Sequence, residues 1–235
     1  MLPLEISAVE LRQFELLLKR IGADPRAFKM RKFSTEDGGT VRVHVHGRGA
    51  ATVYEVKRGE SWEAPFQGDL DRGLFGLRGT AQLSACKTRV LEAVQAQFSE
   101  GGLVAGLRLL NARVPHRFTA IYQLQENTLR NVALVDKEQG ADTFALQEVP
   151  LAESFCQFVL KAGLFLTPDS GRDPRLPGHP YSGVVGSYVG LPVVSDKPKF
   201  FGTLCHFDYA RHEISDDEFL FLERVAQLLP QFLPA

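Results

Sequence analysis

A cysteine and a histidine stand next to each other near the end of the chain, at Cys205 and His206. A thiolate beside an imidazole is a familiar catalytic nucleophile. The composition of this segment predicts a β-strand, however, and neighbouring side chains of a strand point to opposite faces. We therefore do not expect the imidazole to act on the thiol. Cys205 shares a strand face with Thr203 and Phe207, which predicts a small, buried, apolar role for it.

Two further histidines, His44 and His46, alternate with valines and so fall on one face of a predicted strand. Histidines at positions i and i+2 of a strand can bind a metal ion. A third ligand is not evident nearby in the sequence, and one face of an antiparallel hairpin is commonly polar and exposed to water. We therefore predict a solvated strand face here and no metal site.

The segment Gly186-Ser187-Tyr188-Val189-Gly190 superficially has the composition of a nucleophile elbow. Its spacing does not fit G-x-S-x-G, and a strand is predicted to follow it where a helix is needed. The phosphate-binding pattern G-x-x-x-x-G-K-S/T is also absent from the sequence. The sequence thus predicts neither a serine hydrolase nor a nucleoside triphosphatase.

Composition and charge limit the classes of protein to which this chain can belong. Apolar residues make up 44 % of the 235 residues and the formal net charge is −1, so a core can form and no long-range field favours nucleic acid or an anionic membrane. No secretion signal and no membrane-spanning apolar run is evident. The three cysteines, Cys86, Cys156 and Cys205, are far apart, which argues against a disulfide framework. We predict a cytoplasmic protein that binds neither nucleic acid nor a membrane.

Residues 1–72 predict a small α+β unit. Ser7 and Glu10 form an S-x-x-E capping box ahead of an apolar helical stripe, and Gly22 is a natural end for that helix. Two segments that alternate in polarity predict a hairpin with a turn at Gly47-Arg48-Gly49, namely Thr40–His46 and Thr52–Lys57. Clustered glycines then predict a linker over residues 73–83.

Residues 84–235 predict a second α+β unit. Strands joined by short turns pair in antiparallel fashion, and helices at both ends must cover one face of the resulting sheet. The helices are predicted at Cys86–Phe98, Leu103–Ala112, Leu151–Gly163 and Ser215–Pro230. The strands are predicted at Phe118–Gln125, Thr128–Asp136, Leu164–Thr167, Tyr188–Val194 and Phe200–Asp208, with a loop over Pro168–Pro180.

Several short motifs of this second unit follow one another in the order found in one known family. They are Ser154-Phe155-Cys156, Leu166-Thr167-Pro168-Asp169, Asp173-Pro174-Arg175, Gly186-Ser187-Tyr188-Val189-Gly190-Leu191-Pro192-Val193, and Gly202-Thr203-Leu204-Cys205 with Asp208. A closing helix opened by Ser215 and Glu218 completes the set. From about residue 84 onward, the chain resembles the GAF domain family.

The resemblance implies a central antiparallel sheet with helices on one face and a small-molecule pocket on the other. It implies these ligand-binding residues: Tyr122, Phe155, Cys156, Asp169, Arg172, Tyr188 and Cys205. Tyrosine hydroxyls would reach a ligand from an apolar wall, and a loop arginine would meet an anionic ligand. The alternatives are core packing for the tyrosines and a solvated, ion-paired loop for the charges. The motifs of cyclic-nucleotide and phytochrome members are absent, so no cofactor is assigned.

The function that this resemblance implies is a sensory or regulatory protein that binds an unidentified small molecule without turnover. A protein partner would carry the output, and the first and last helices of the unit would form a homodimer. Two alternatives remain open. One is a redox enzyme of the free methionine sulfoxide reductase type that uses Cys156 or Cys205. The other is a GAF domain that serves only for dimerisation, with its pocket filled by its own side chains.

Overall fold

The computed structural model of the chain describes residues 1–35, 37–48, 50–75, 85–139, 146–196 and 199–233. The chain divides into two compact units, one of Met1–Gln82 with Lys161–Gly163 and one of Leu83–Leu160 with Leu164–Ala235. Most of the predicted linker, from residue 76 onward, lies outside the described residues. The same holds for Gly49 of the predicted hairpin turn and for residues 197–198. Within the described ranges, no helix has both the length and the apolar character needed to cross a bilayer.

The first unit is an antiparallel sheet with two helices. Its strands pair in the order β1-β2-β3-β4 and span Leu2–Leu4, Phe28–Ser34, Thr40–Gly47 and Ala50–Lys57. Its helices are α1 at Ala8–Arg20 and α2 at Glu63–Asp71. The predicted capping box is present, since the Ser7 hydroxyl accepts from the Glu10 backbone N–H at 3.2 Å and the Glu10 carboxylate accepts from the Ser7 N–H at 3.0 Å.

The predicted hairpin is confirmed as β3 and β4, but the prediction missed three elements of this unit. β1 has only three residues and β2 is rich in lysine and arginine, so neither shows apolar alternation. α2 contains Pro65 and Gly68, and the residue at its N-terminal cap, Trp62, makes no side-chain capping bond. Of the paired histidines, His44 packs against the ring of Phe33 at a centroid distance of 5.0 Å, and His46 is exposed.

The second unit contains a six-stranded antiparallel sheet in the order β7-β6-β5-β10-β9-β8. Its strands are β5 at Phe118–Gln125, β6 at Thr128–Asp136, β7 at Glu148–Pro150, β8 at Phe165–Thr167, β9 at Ser187–Asp196 and β10 at Lys199–Asp208. The central pairs match the prediction, and β7 is an added edge strand. The α+β fold class is confirmed.

Two long helices cover one face of this sheet. They are α3 at Ala85–Asn111, which packs on β5 and β6, and α5 at Asp216–Leu228, which packs on β9 and on α3. The predicted gap between two helices shrinks to one residue, because only Gly102 departs from helical geometry, with φ 74° and ψ −174°. The side chain of Cys86 lies outside the described part.

A shorter helix, α4 at Cys156–Ala162, belongs to the opposite face. The prediction placed one continuous helix from Leu151 to Gly163. The structure instead has a single 3-10 turn at Leu151–Glu153, an extended Ser154, and then α4. The hydroxyl of Ser154 accepts a hydrogen bond from the backbone N–H of Cys156 at 3.1 Å, which caps the new helix and explains why the first turn is separate.

Candidate functional site

The sheet face turned away from α3 and α5 is here called the thiol face. Its buried apolar side chains from β5, β9 and β10 are Phe118, Ala120, Tyr122, Tyr188, Cys205 and Phe207. These residues alternate along β5, β9 and β10 with side chains of the helix-covered face, such as Thr119 and His206, as strand geometry requires. Cys205 and His206 therefore point to opposite faces, as predicted.

Cys156 and Cys205 come together on the thiol face. Cys156 is the first residue of α4 and Cys205 lies in the middle of β10, and they are 2 % and 1 % exposed. Both side chains belong to the same buried cluster, and each thiol affects the pKa of the other. Both cysteines are free thiols. A helix and a central strand thus place two unbonded thiols next to each other in the core.

The sulfur of Cys156 lies within hydrogen-bond distance of two hydroxyl groups. The Thr203 hydroxyl donates to it at 3.2 Å, and the hydroxyl of Tyr188 lies 3.3 Å from it. Cys205 has a second contact, with its sulfur 3.7 Å from the carbonyl oxygen of Ala120 on β5. Thr203 and Cys205 are two residues apart on one strand, so the sequence Gly202-Thr203-Leu204-Cys205 brings both to the same partner.

These contacts separate the acidities of the two thiols. The neighbouring Cys205 thiol is the largest influence on Cys156, and together with the hydroxyls of Ser154, Thr203 and Tyr188 it lowers the pKa of Cys156 against the opposing effect of burial. The neighbouring Cys156 sulfur and burial raise the pKa of Cys205. Any negative charge in this pair is therefore held by Cys156.

Aromatic rings close the thiol face around the pair. Phe155 meets Tyr188 edge to face at a centroid distance of 5.6 Å, and Phe158 stacks on Phe165 at 4.9 Å. The imidazole of His179 packs on Phe155 at 4.8 Å. Such ring pairs add stability beyond the area that they bury. Side chains of the protein itself thus fill the region where the resemblance implies a ligand.

The tyrosines predicted for the pocket have their hydroxyls engaged. Tyr122 donates to the carbonyl oxygen of Leu146 at 3.0 Å, and Tyr188 contacts Cys156 as described. Tyr188 can lie along its strand because the residue two positions on is Gly190. A Cβ atom there would lie 2.5 Å from the tyrosine hydroxyl oxygen.

The predicted loop residues Asp169 and Arg172 lie apart from the thiol pair. Asp169 is paired with Arg211 at 3.2 Å and with Arg172 at 3.7 Å, and the Arg172 side chain is 80 % exposed. Of the seven predicted ligand residues, the structure therefore brings five together on or beside the thiol face, namely Tyr122, Phe155, Cys156, Tyr188 and Cys205.

The charged pair that fastens this loop is Asp173 and Arg175, which the prediction did not select. Arg175 donates through Nη2 to Asp173 at 2.7 Å and to the Leu166 carbonyl oxygen at 2.6 Å, and its guanidinium lies over the Phe165 ring at 4.3 Å. Burial alone would raise the pKa of Asp173, but the hydrogen bonds and charge of Arg175 lower it overall. The Asp-Pro-Arg motif was the available signal.

A second polar cluster lies on the helix-covered face and was missed entirely. Nδ1 of His206 lies 2.7 Å from the Thr119 hydroxyl, and that hydroxyl accepts a hydrogen bond from Asn111 at 2.8 Å. His116 stacks on His206 at 6.1 Å, and burial lowers the pKa of His116 to about 4. Among the described residues, no group of three or more histidine, cysteine or acidic side chains is arranged to hold a metal ion.

Neither protein-family models nor curated proteins match the chain. Solved structures similar to it include the GAF domain of a phosphoenolpyruvate-protein phosphotransferase from Acinetobacter, at 15 % identity and a TM-score of 0.49, covering 64 % of this chain and 94 % of that one. The free methionine-R-sulfoxide reductase of Neisseria meningitidis, solved with its substrate, is similar at 16 % identity and a TM-score of 0.50. The match covers 64 % of this chain and 93 % of that one.

The chromophore-binding domain of a bacteriophytochrome from R. palustris is also similar, at 11 % identity and a TM-score of 0.52, covering 86 % of this chain and 72 % of that one. Identities this low concern the fold alone. The fold of the second unit is GAF-like, as the order of its motifs predicted.

Proposed function

We propose that this chain, whose second unit has a GAF-like fold, is a regulatory protein that signals through contact with a protein partner and turns over no substrate. The observation that carries the proposal is the filled thiol face. Phe155, Tyr188 and Cys205 are 3 %, 5 % and 1 % exposed and make their polar and aromatic contacts with neighbouring groups of the protein. A ligand would have to displace side chains that pack well without it.

Because the protein's own side chains fill this face, we infer that the protein at rest holds no small molecule there. Displacing a buried aromatic ring typically costs several kcal/mol, about 3–5 for its complete removal from a core. A small molecule with a few polar groups remains the alternative input, because hydroxyl and thiol groups of Tyr188, Thr203 and Cys156 converge inside an apolar wall.

The test of this proposal is native against denaturing mass spectrometry on freshly purified full-length protein, with an absorption spectrum alongside. We expect the mass of the bare chain in both conditions and no visible absorbance. Extra mass that is lost on denaturation would overturn the self-filled state and establish a ligand-binding sensor. The lost mass would then begin to identify the ligand.

A redox enzyme of the free methionine sulfoxide reductase type is the second candidate, because the structure holds two adjacent free thiols on a GAF-like fold. Such an enzyme would reduce the sulfoxide to methionine and water while Cys156 and Cys205 join in a disulfide. The assay is turnover of free methionine sulfoxide with a thiol reductant, for the wild-type chain and for Cys156→Ser, Cys205→Ser and Cys86→Ser. Activity that Cys156→Ser abolishes and Cys86→Ser keeps would overturn the non-catalytic proposal.

We place the protein in the cytoplasm, because adjacent thiols such as these persist unpaired in a reducing compartment.

Dimerisation is also part of the proposal. The apolar residues of α5, Phe219 and Leu222 among them, are buried inside the unit, so we infer that α3 supplies the contact with a second copy. α3 carries an open groove of about 560 Å³ lined by Ala93, Ala96, Gln97, Ala105, Arg108, Leu109 and Ala112. Light scattering that gives a monomeric mass at working concentration would contradict this part.

A further inference from the structure

The thiol pair has the three features of a reversible redox centre. Cys156 and Cys205 are adjacent, both are reduced, and they lie on different elements, α4 and β10, so that joining them would link a helix to the centre of the sheet. Structural cysteines in a core are usually surrounded by apolar groups alone. Here the sulfur of Cys156 instead meets the Thr203 and Tyr188 hydroxyls at 3.2 and 3.3 Å.

The hydrogen bonds assign different roles to the two sulfurs. Cys156 accepts a hydrogen bond from Thr203 at 3.2 Å and lies 3.3 Å from the Tyr188 hydroxyl, and hydroxyl groups around a sulfur favour its thiolate, which is the nucleophilic form. The Cys205 thiol instead donates to the carbonyl oxygen of Ala120 at 3.7 Å and keeps its proton. Cys156 is therefore the thiol that reacts first with an oxidant, and Cys205 is the thiol that then reacts with the oxidised Cys156.

We propose that Cys156 and Cys205 form a peroxide-responsive dithiol switch, an input that goes beyond the proposed function and does not depend on it. In the first step the Cys156 thiolate attacks one oxygen of hydrogen peroxide; the O–O bond breaks, and with one proton the products are a Cys156 sulfenic acid and water. In the second step the Cys205 sulfur attacks that of Cys156, expelling its hydroxyl as a second water. The dithiol loses two electrons and the peroxide gains them.

The burial of the pair selects the oxidant. With Cys156 and Cys205 2 % and 1 % exposed, a small hydroperoxide can reach them through local opening, whereas a bulky disulfide such as oxidised glutathione cannot align with either sulfur. The disulfide would also remove the acceptor that the Thr203 and Tyr188 hydroxyls use. Oxidation therefore changes the contacts of α4 with the sheet at the place where the aromatic side chains close the face.

The experiment uses the full-length chain with Cys86→Ser, so that only the pair remains. The folded protein is exposed to hydrogen peroxide, quenched with catalase, denatured and alkylated, and its intact mass is measured. We expect a species lighter by two hydrogens that takes up no alkylating agent and that a thiol reductant restores. Peptide mapping should join Cys156 to Cys205. The same treatment in urea shows that the peroxide dose suffices to oxidise accessible thiols.

Variants test the assigned roles. Cys205→Ser should accumulate a sulfenic acid at Cys156, detected as a dimedone adduct, and Cys156→Ser should not react. Thr203→Val, which keeps the side-chain shape but removes a donor to the thiolate, should oxidise roughly tenfold more slowly. Thr128→Val, on β6, is its matched control and should oxidise at the parent rate.

Two results would overturn the proposal. One is a folded protein, verified by circular dichroism, that keeps both thiols at a dose that oxidises the unfolded chain. The other is a dimedone adduct on Cys205 in the Cys156→Ser variant together with none on Cys156 in the Cys205→Ser variant, because that pattern reverses the two roles.

Discussion

The guanidinium of Arg175 holds a carboxylate that water does not reach. The Asp173 side chain is 0 % exposed, its Oδ2 lies 2.7 Å from Nη2 of Arg175, and the same nitrogen donates to the carbonyl oxygen of Leu166 on β8 at 2.6 Å. The arginine thus joins the loop after β8 to the edge strand. Because the guanidinium also covers the ring of Phe165, it anchors one side of the closed thiol face.

Arg175→Ala is expected to destabilise the second unit by about 3 kcal/mol, since it leaves a buried carboxylate without its partner. Arg172→Ala, in the same loop but with an exposed side chain, should cost less than about 0.5 kcal/mol. Urea unfolding followed by far-ultraviolet circular dichroism measures both. Fluorescence of Trp62, the only tryptophan, reports on the first unit separately. Equal losses in the two variants would contradict the anchoring role.

Gly102→Ala is expected to destabilise the protein although alanine favours helices. Gly102 has φ 74° and ψ −174°, a conformation open almost only to glycine, and a Cβ atom there would meet nothing within 4 Å. The loss of about 1–3 kcal/mol would therefore come from backbone strain alone. Ser99→Ala, at an exposed position of the same helix, is the control. A Gly102→Ala protein as stable as the parent would show that α3 can straighten at this point.

Gly190→Ala is expected to cost about 1–3 kcal/mol by overpacking. The added methyl group would lie 2.5 Å from the Tyr188 hydroxyl oxygen, and the tyrosine cannot move freely because Phe155 and Phe165 pack on its ring. Val194→Ala, at an exposed site of the same strand, should be nearly neutral. Thermal unfolding of the two variants compares them directly. A Gly190→Ala protein with the melting temperature of the Val194→Ala protein would count against this packing.

Local patterns predicted the elements whose own sequence carries a signal and missed the elements that depend on distant partners. The capping box at Ser7 and the alternation of β3 and β4 act over a few residues, so a sequence displays them completely. β2 and α2 escaped notice because their apolar residues gain burial only from partners elsewhere in the unit. Tertiary contact, not propensity, makes them regular.

In the candidate site, too, features set within one strand were predicted, and features set by the meeting of distant elements were not. Alternation alone placed Cys205 and His206 on opposite faces, which needs no knowledge of other strands. The meeting of Cys156 with Cys205 depends on where α4 crosses β10, and no pattern within either element specifies that. Asp169 and Arg172 were chosen over Asp173 and Arg175 because charge in a loop does not reveal burial. The structure resolves that choice, since only the second pair is shielded from water.

Two buried histidines on the helix-covered face should make stability depend on pH. His116 and His206 are each 1 % exposed, and burial is the largest cause that lowers the pKa of both. The charges that face them are His212, Asp208 and Lys137, of which only Asp208 opposes the shift of His116. Folding therefore favours neutral rings. The unfolded chain therefore binds more protons than the folded one at pH values between the folded and the unfolded pKa.

This difference in bound protons sets the direction in which the stability changes with pH. Stability is complete above the unfolded histidine pKa of 6.5 and falls as the pH drops towards the folded pKa of His116, about 4. For His116 alone the loss across this window is about 3 kcal/mol. His116→Phe, which keeps a ring but removes the titrating group, should flatten the dependence, whereas His46→Gln, at an exposed position, should not. Urea unfolding between pH 4 and 7 measures the slopes, and parallel slopes for His116→Phe and the parent would refute the assignment. Asp208, whose pKa is lowered from 3.8, adds a loss of its own at the acid end of this range, which the parent and the His116→Phe protein share.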